Sequence, residues 1–140
     1  MVRSAQTAAL PAETLYAILS LRAAVFVVEQ HCAYLDLDGR DIEAGCTQLW
    51  VEEHGEVVAT ARLLAEEDGH RVGRLCTTPG ARSRGLATAL IDTAIGLADR
   101  GPLTIDAQTP LAGWYTRFGF AATGHEFVED GIAHTEMRRT

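Results

Sequence analysis

No stretch of this chain is apolar for long enough to cross a bilayer, so no membrane partner is expected. The opening MVRSAQTAAL lacks the apolar centre of a secretory leader, and a cytoplasmic location is the expectation. Cysteine is scarce: Cys32, Cys46 and Cys76 are odd in number and show no Cys-x-x-Cys spacing. That argues against a disulfide framework or a zinc site and leaves reduced thiols. The five histidines, His31, His54, His70, His125 and His134, form no His-x-x-x-His pair, so no metal is expected. Positive charge is in deficit. A net charge of −7 argues against nucleic acid as the main partner and favours a cationic or neutral small molecule. There is no repeat, low-complexity tract or linker. The 140 residues, 47% apolar and 22% charged, fit one domain over residues 1–140 with a sizeable core. Monomer and homodimer both remain open.

What is present is organised around Arg71 to Arg100, RVGRLCTTPGARSRGLATALIDTAIGLADR. Val72 to Thr77 is a short run with β-branched residues, suited to a buried strand. Thr78-Pro79-Gly80 breaks it. From Gly85 the period changes. Leu86, Leu90, Ile91, Ala94, Ile95 and Ala98 recur every three or four residues, one apolar helical face. Arg100-Gly101-Pro102 stops that helix. The loop before it carries Arg82, Arg84 and Gly85. A helix start exposes unpaired N–H groups and the positive end of its dipole, and a glycine there lets a phosphate reach the backbone. A pyrophosphate site is therefore expected; the rival reading is an ordinary strand-to-helix loop with surface arginines. Gly80 to Gly85 has a P-loop skeleton, but Leu86-Ala87 stands where Lys-Ser/Thr is required. The dinucleotide pattern Gly-x-Gly-x-x-Gly is absent.

The rest of the chain arranges itself around this unit. Residues 1 to 9 carry no clear signal. Leu15, Ile18, Leu19, Arg22, Val25 and Phe26 keep helical spacing and predict a helix from about Ala12 to Val27. Arg22, Phe26 and Glu29 share one face if it continues; Arg22 and Glu29 read first as members of a surface or semi-buried ion pair. The stretch from Glu29 to Gly45 is polar, with Asp36, Asp38, Asp41 and Glu43 close together. It is either a solvated loop or the acidic wall of a substrate cleft. Leu49–Glu53 and Glu56–Leu64 read as strands joined at His54-Gly55, and a turn at Glu66 to His70 leads to the strand at Val72. These three should form an antiparallel meander. Leu103 to Asp106 is a short strand that a right-handed crossover places parallel to Val72–Thr77. Thr109-Pro110 starts a further helix with Leu111, Trp114, Tyr115 and Phe118 on one face, ended by Gly119. Two strands, about Ala121–Glu129 and Ile132–Arg138, close the chain around Asp130-Gly131.

The loop Arg82-Ser83-Arg84-Gly85-Leu86-Ala87 resembles the Arg/Gln-x-x-Gly-x-Gly/Ala motif of the GNAT superfamily of acyl-CoA N-acyltransferases. The element order is similar to the GNAT layout over nearly the whole chain. Arg22 to Gln30, Tyr34 to Gly39, Ile105 to Gln108 and Glu126 to His134 resemble the ElaA-like branch; the Arg22–Glu29 run is also similar to acyl-homoserine-lactone synthases. The resemblance implies a single α/β domain with a mixed sheet: an antiparallel meander, a central parallel pair of strands that splay apart, and flanking helices. It implies acetyl-CoA as cosubstrate. Its pantetheine would lie on the backbone of Leu75, Cys76 and Thr77, and its pyrophosphate on Arg82, Ser83, Arg84, Gly85, Leu86 and Ala87. Tyr115 matches the acid that protonates the leaving thiolate, a role a phenol can fill; the other reading is a core aromatic beside Trp114 and Phe118. Val72-Gly73-Arg74 lacks the glutamate base of some members, which leaves water or another carboxylate, Glu29 being the candidate. The layout puts the acceptor near Arg22, Phe26, Asp36, Asp38, Asp130 and His134. The family's first strand is expected to be short or missing.

The function expected is acetyl transfer from acetyl-CoA to a primary amine of a small molecule, one able to carry a second positive charge. Transfer of a longer acyl group, or acyl-CoA sensing without catalysis, are the alternatives. Amine-dependent release of free CoA separates enzyme from sensor.

Overall fold

A computed structural model describes all residues, Met1–Thr140. Seven strands form one sheet in the order β1-β2-β3-β4-β5-β7-β6. They are β1 (Arg3–Gln6), β2 (Thr47–Glu53), β3 (Glu56–Glu66), β4 (Gly69–Thr77), β5 (Leu103–Gln108), β6 (Ala121–Glu129) and β7 (Ile132–Arg139). The helices are α1 (Ala12–Arg22), α2 (Leu86–Leu97) and α3 (Ala112–Thr116). None is long and apolar enough to cross a membrane. Local chemistry sets the hairpins. His54 and Gly55 have φ of 53° and 79°, and Asp130 and Gly131 have 52° and 76°, the left-handed pairs that match strand twist in a two-residue turn. The meander β2–β3–β4 is antiparallel and β5 runs parallel to β4, as the sequence predicts.

Two helices differ from the sequence reading, and residues 1 to 9, which carry no clear signal, hold the short first strand that the resemblance allowed: β1 pairs from Arg3↔Trp50 to Gln6↔Thr47. Four residues with two alanine or serine side chains offer no period to read, and the pairing with β2 alone defines them. The first helix leaves α geometry after Arg22 and continues as a π-helical turn over Ala23–Glu29. Such turns recur at functional sites. The helix expected at Thr109 begins as a 3₁₀ turn, Thr109–Leu111, and α3 holds only five residues.

The parallel contact is short. β4 and β5 pair at His70↔Leu103, Arg71↔Thr104 and Val72↔Ile105, and no further. Beyond that point β5 stays with β7, reaching Gln108↔His134, while β4 stays with β3, reaching Ala59↔Thr77. A bulge on β4 marks the divergence. Between Arg62↔Gly73 and Thr60↔Cys76, β4 carries Arg74 and Leu75 against Ala61 alone, and Arg74 has φ of 51°. The extra residue bends the strand. Alternate residues of β3 divide between two faces. Ala59, Ala61 and Leu63 join the large core with Leu90, Ile91 and Ala94 of α2. The opposite face carries Thr60 and Arg62 and a smaller cluster of Leu21, Val25, Phe26, Cys32 and Cys76.

The irregular segment between α1 and β2 is fixed to that second face by charge. Arg22 is fully buried. Its guanidinium donates to Asp36 Oδ2 at 3.2 Å and to Asp41 Oδ1 at 2.6 Å, and to the carbonyl of Asp36 at 2.9 Å. Arg62 donates to Asp38 Oδ1 at 2.9 Å and Oδ2 at 3.1 Å, and to Asp41 Oδ2 at 3.2 Å. Arg74 Nε lies 2.8 Å from Asp36 Oδ1, and its Nη2 is 3.3 Å from Asp38 Oδ2. Three carboxylates meet three guanidiniums. The acidic stretch is thus neither a solvated loop nor an acidic wall; its aspartates are matched, charge for charge, by arginines from α1, β3 and β4. Removing one member would leave buried charge uncompensated. Arg22→Ala should cost about 3–5 kcal/mol, seen as a lower urea midpoint at unchanged m-value. Burial alone would raise the Asp38 carboxyl, but hydrogen bonds from Arg62 and from the Arg40 N–H bring it down to about 2. A depressed folded value stabilises above the unfolded value of about 3.9 and is lost as pH falls towards 2. Asp38→Asn should flatten the stability curve between those limits, and an unchanged acid slope would place the sensitivity elsewhere.

Candidate active site

Past Thr77 the chain makes a 3₁₀ turn at Pro79–Ala81 and enters α2 through Ser83, φ 64°, and Gly85, φ 81°. A Cβ on Gly85 would meet nothing within 4 Å. Its requirement is the left-handed conformation and whatever approaches from outside, rather than packing. The first backbone bond of the helix is Ala89 N–H to Gly85 O at 3.0 Å. The N–H groups from Ser83 to Thr88 donate to no backbone carbonyl. The first turn of α2 carries no acidic residue. These N–H groups border a cavity of about 250 Å³ lined by Thr77, Arg82, Ser83, Gly85, Leu86, Ala87 and Trp114 among others. Converging N–H groups at a positive helix end suit an anion. Of the residues expected to hold the pyrophosphate, Arg82, Ser83, Gly85, Leu86 and Ala87 border this cavity, and Arg84 does not.

Both loop arginines are already engaged. Arg82 donates to the two carboxylate oxygens of Glu29 at 2.6 Å each, and its Nε donates to Thr77 O at 2.9 Å. Arg84 donates to Glu53 Oε1 at 2.8 Å and to its second oxygen. The hydrogen bonds from Arg82 hold the exposed Glu29 carboxyl below its ordinary value. Glu29 does not line the central cavity. A carboxylate so held is a weak base, and Glu29 is paired with the loop before α2 rather than bordering that cavity.

A second cavity, of about 510 Å³, opens where β4 and β5 part. Twenty residues line it, nine of them hydrophobic. Phe26, Tyr34, Arg62 and Arg74 border it from the α1 side, Ile105, Asp106 and Gln108 from β5, and Tyr115 from α3. Tyr115 is 5% exposed, edge-on to Trp114 at 4.9 Å and to Phe120 at 6.1 Å. Burial pushes its phenol up to about 12, so it is protonated at neutral pH. Phe26, Asp38, Leu75 and His134 also line this space. Arg22 and Asp36 do not; they lie beneath it in the ion-pair network. Asp130 accepts a hydrogen bond from the N–H of Ala33 and so ties the C-terminal hairpin to the segment after the π turn. Cys76 is buried, and burial pushes its thiol up to about 12, which leaves it a poor nucleophile. No group of three or more histidine, cysteine or carboxylate side chains comes together to hold a metal.

Several site residues were not singled out by sequence. Arg62 sits inside ATARLLA, and a charge in an apolar strand next to an acidic loop was a readable sign of pairing. Arg74 gave no such sign, because its bulge arises from pairing with β3. Gln108 donates to Gln30 at 3.3 Å, bridging β5 and the end of the π turn across the cavity mouth. That contact spans 78 residues and has no local signature.

Residues 18–140 match the model of the acetyltransferase (GNAT) domain. A UPF0039 protein of Mycobacterium bovis is 44% identical over 135 residues, covering 93% of this chain and 86% of that protein. Protein ElaA of Escherichia coli is 34% identical over 132 residues, with 89% and 86% covered. Among solved structures, an acyl-CoA N-acyltransferase from Pseudomonas aeruginosa superposes with a TM-score of 0.95 at 35% identity, covering 100% of this chain and 99% of that one. The open N–H array at α2, the parted strands and these likenesses agree: the chain belongs to the GNAT acyltransferases, in the ElaA-like branch.

Proposed function

We propose that this acyltransferase moves the acetyl group of acetyl-CoA to a primary amine of a small acceptor by direct attack in a ternary complex. The observation that carries the reading is the unpartnered N–H run from Ser83 to Thr88, placed at the end of the strand that borders the central cavity. The pyrophosphate lies against those N–H groups. From Gly73 onward β4 has no partner on its β5 side, so the backbone of Leu75, Cys76 and Thr77 is free to bond pantetheine. The thioester then sits in the cavity. The amine nitrogen bonds to the carbonyl carbon, the C–S bond breaks, and Tyr115 gives its phenolic proton to the departing thiolate. A cavity of this size has room beyond an acetyl group, so a series of acyl-CoA chain lengths decides between acetyl and longer donors.

Asp36 and Asp38 no longer argue for a cationic acceptor, since arginines neutralise them. A preference for a second positive charge rests instead on Glu129, which borders the cavity; Asp106 beside it is paired with Arg71 at 2.9 Å. Comparing a four-carbon monoamine with the diamine of the same length, in the wild type and in Glu129→Gln, measures it. A higher kcat/KM for the diamine that Glu129→Gln removes is expected; equal values in the wild type would remove the cationic preference.

Gly85→Glu places bulk and a negative charge where the pyrophosphate lies. Acetyl-CoA should raise the Tm of the wild type and leave that of the folded variant unchanged, because stabilisation follows affinity. A wild-type shift in the variant would put the site elsewhere. Tyr115→Phe keeps the ring and removes the proton. Its kcat should fall by about a hundredfold or more while the acetyl-CoA Tm shift persists. An unchanged kcat with chemistry rate-limiting returns Tyr115 to the core.

A further inference from the structure

The reaction needs a group that takes the proton of the attacking amine, and neither Glu29 nor the β4 strand supplies one. His134 has the required geometry. It lies on β7, 8% exposed, and lines the central cavity. Its Nδ1 is 2.9 Å from the carbonyl oxygen of Ile132. A carbonyl only accepts, so Nδ1 carries the proton and Nε2 keeps its lone pair. Nε2 has no protein partner, and unlike Asp36 Oδ1, Gln48 Oε1 and Arg62 Nε it is not sealed from solvent. The ring is also held in place. Phe127, its cross-strand neighbour, stacks on it with centroids 5.1 Å apart and planes 6° apart, and His125 stacks on Phe127 at 5.3 Å. One nitrogen is committed to the backbone, one face of the ring lies on Phe127, and the residue borders the central cavity.

The position relative to Tyr115 adds a second argument. On β7, Met137 belongs to the core that contains Tyr115, and Thr135 Oγ1 lies 2.9 Å from Thr109 Oγ1, just before α3. Strand alternation turns His134 to the opposite face, with Ile132, which packs against the cluster of Leu21, Val25, Phe26, Cys32 and Cys76. The imidazole and the phenol therefore stand on opposite sides of the sheet and border one cavity that passes between β4 and β5.

We propose that His134 Nε2 is the general base of the reaction, a role that rests on the acetyltransferase reading given above. It takes the proton of the amine as the N–C bond forms. Tyr115 donates its own proton as the C–S bond breaks. One proton is gained and one lost, and transfer through cavity water resets both groups. Imidazole is suited to this step because it exchanges protons near neutral pH. The other titratable or charged groups bordering His134 or its cavity are His125 and Glu129 on β6, Asp106 on β5, Arg71 and Arg74 on β4, Arg62 on β3, Tyr34, Asp38 and Arg40 between the π turn and β2, and Tyr115.

The test uses His134→Asn in the whole chain. The Asn amide can reproduce the Nδ1–H bond to Ile132 and lacks any counterpart of Nε2. Acetyl-CoA with butylamine or 1,4-diaminobutane is the probe, read by thiol release. In the variant, kcat/KM at pH 7 should drop about a hundredfold. The acetyl-CoA Tm shift should stay, and the part of the wild-type acid limb that exceeds the probe amine's own deprotonation should vanish. Wild-type kcat/KM, or an unchanged acid limb, overturns the proposal and leaves the acetyltransferase reading standing. No amine-dependent thiol release from the wild type removes both. Should the variant fail to fold, the wild type alone decides: the acid limb of kcat/KM must share its midpoint with the NMR titration of the His134 ring, and a different midpoint overturns the assignment.

Discussion

Three backbone pairs join β4 to β5, and the working parts of this protein depend on the pairing stopping there. Up to Val72 and Ile105 the two strands are neighbours in one sheet. After that, each has a stronger hold on its other side. β5 keeps six antiparallel pairs with β7, and β4 is bent by the bulge at Arg74 while it stays with β3. The separation exposes backbone groups on β4 that a sheet would otherwise use, and an extended ligand can satisfy them. It also makes the sheet permeable at one place, so a donor on one face and an acceptor on the other can touch. The strain of a left-handed arginine at the bulge is tolerated because Arg74 is held at its far end by Asp36, Asp38 and the carbonyl of Leu35.

Charge in this chain is used mainly to build. All twelve basic side chains are arginine, whose planar fork lets one residue serve several acceptors at once. Arg22, Arg62 and Arg74 share three aspartates, and Arg71 meets Glu66, Asp106 and Glu136. The phosphate loop follows the same rule, with Arg82 and Arg84 held by Glu29 and Glu53. Anion binding then falls to the backbone N–H groups of α2 and its dipole, which no internal partner consumes. A pyrophosphate at the proposed site would meet arginines whose charge is shared with glutamates, so its hold would come chiefly from directed N–H bonds rather than from net charge. The overall charge of −7 is compatible with binding a polyanion for this reason.

Legibility in the sequence followed the range of the interaction concerned. The strand-loop-helix of Val72 to Ala98, the two left-handed hairpin turns and the aromatic face of Trp114, Tyr115 and Phe118 rest on neighbours within a few residues, and all were readable. β1 was not, because four weakly patterned residues acquire strand character only from β2. The π turn was not, because residues 23–29, AAVFVVE, differ little from the α-helical run before them. The acidic loop was misjudged for a related reason. Counting charge along the chain finds Asp36, Asp38 and Asp41; it cannot find the arginines 14 to 38 residues away that cancel them. Among the site residues, Phe26, Tyr115 and His134 were placed by resemblance, and the role open to His134 depends on a carbonyl two residues away and a ring on another strand.

The proposed roles would give proton movement a direction. An amine entering from the α1 side would meet an imidazole on that side, and a thiolate leaving towards α2 and α3 would meet a phenol on the other. If both groups stood on one face, the base would compete with the acid for the same proton and the imidazolium would sit beside the thiolate it should not reprotonate early. The two residues stand on opposite faces of the sheet and border one cavity at the gap between β4 and β5. Burial supports the division. It pushes the Tyr115 phenol up to about 12, so that group keeps a proton to give at neutral pH.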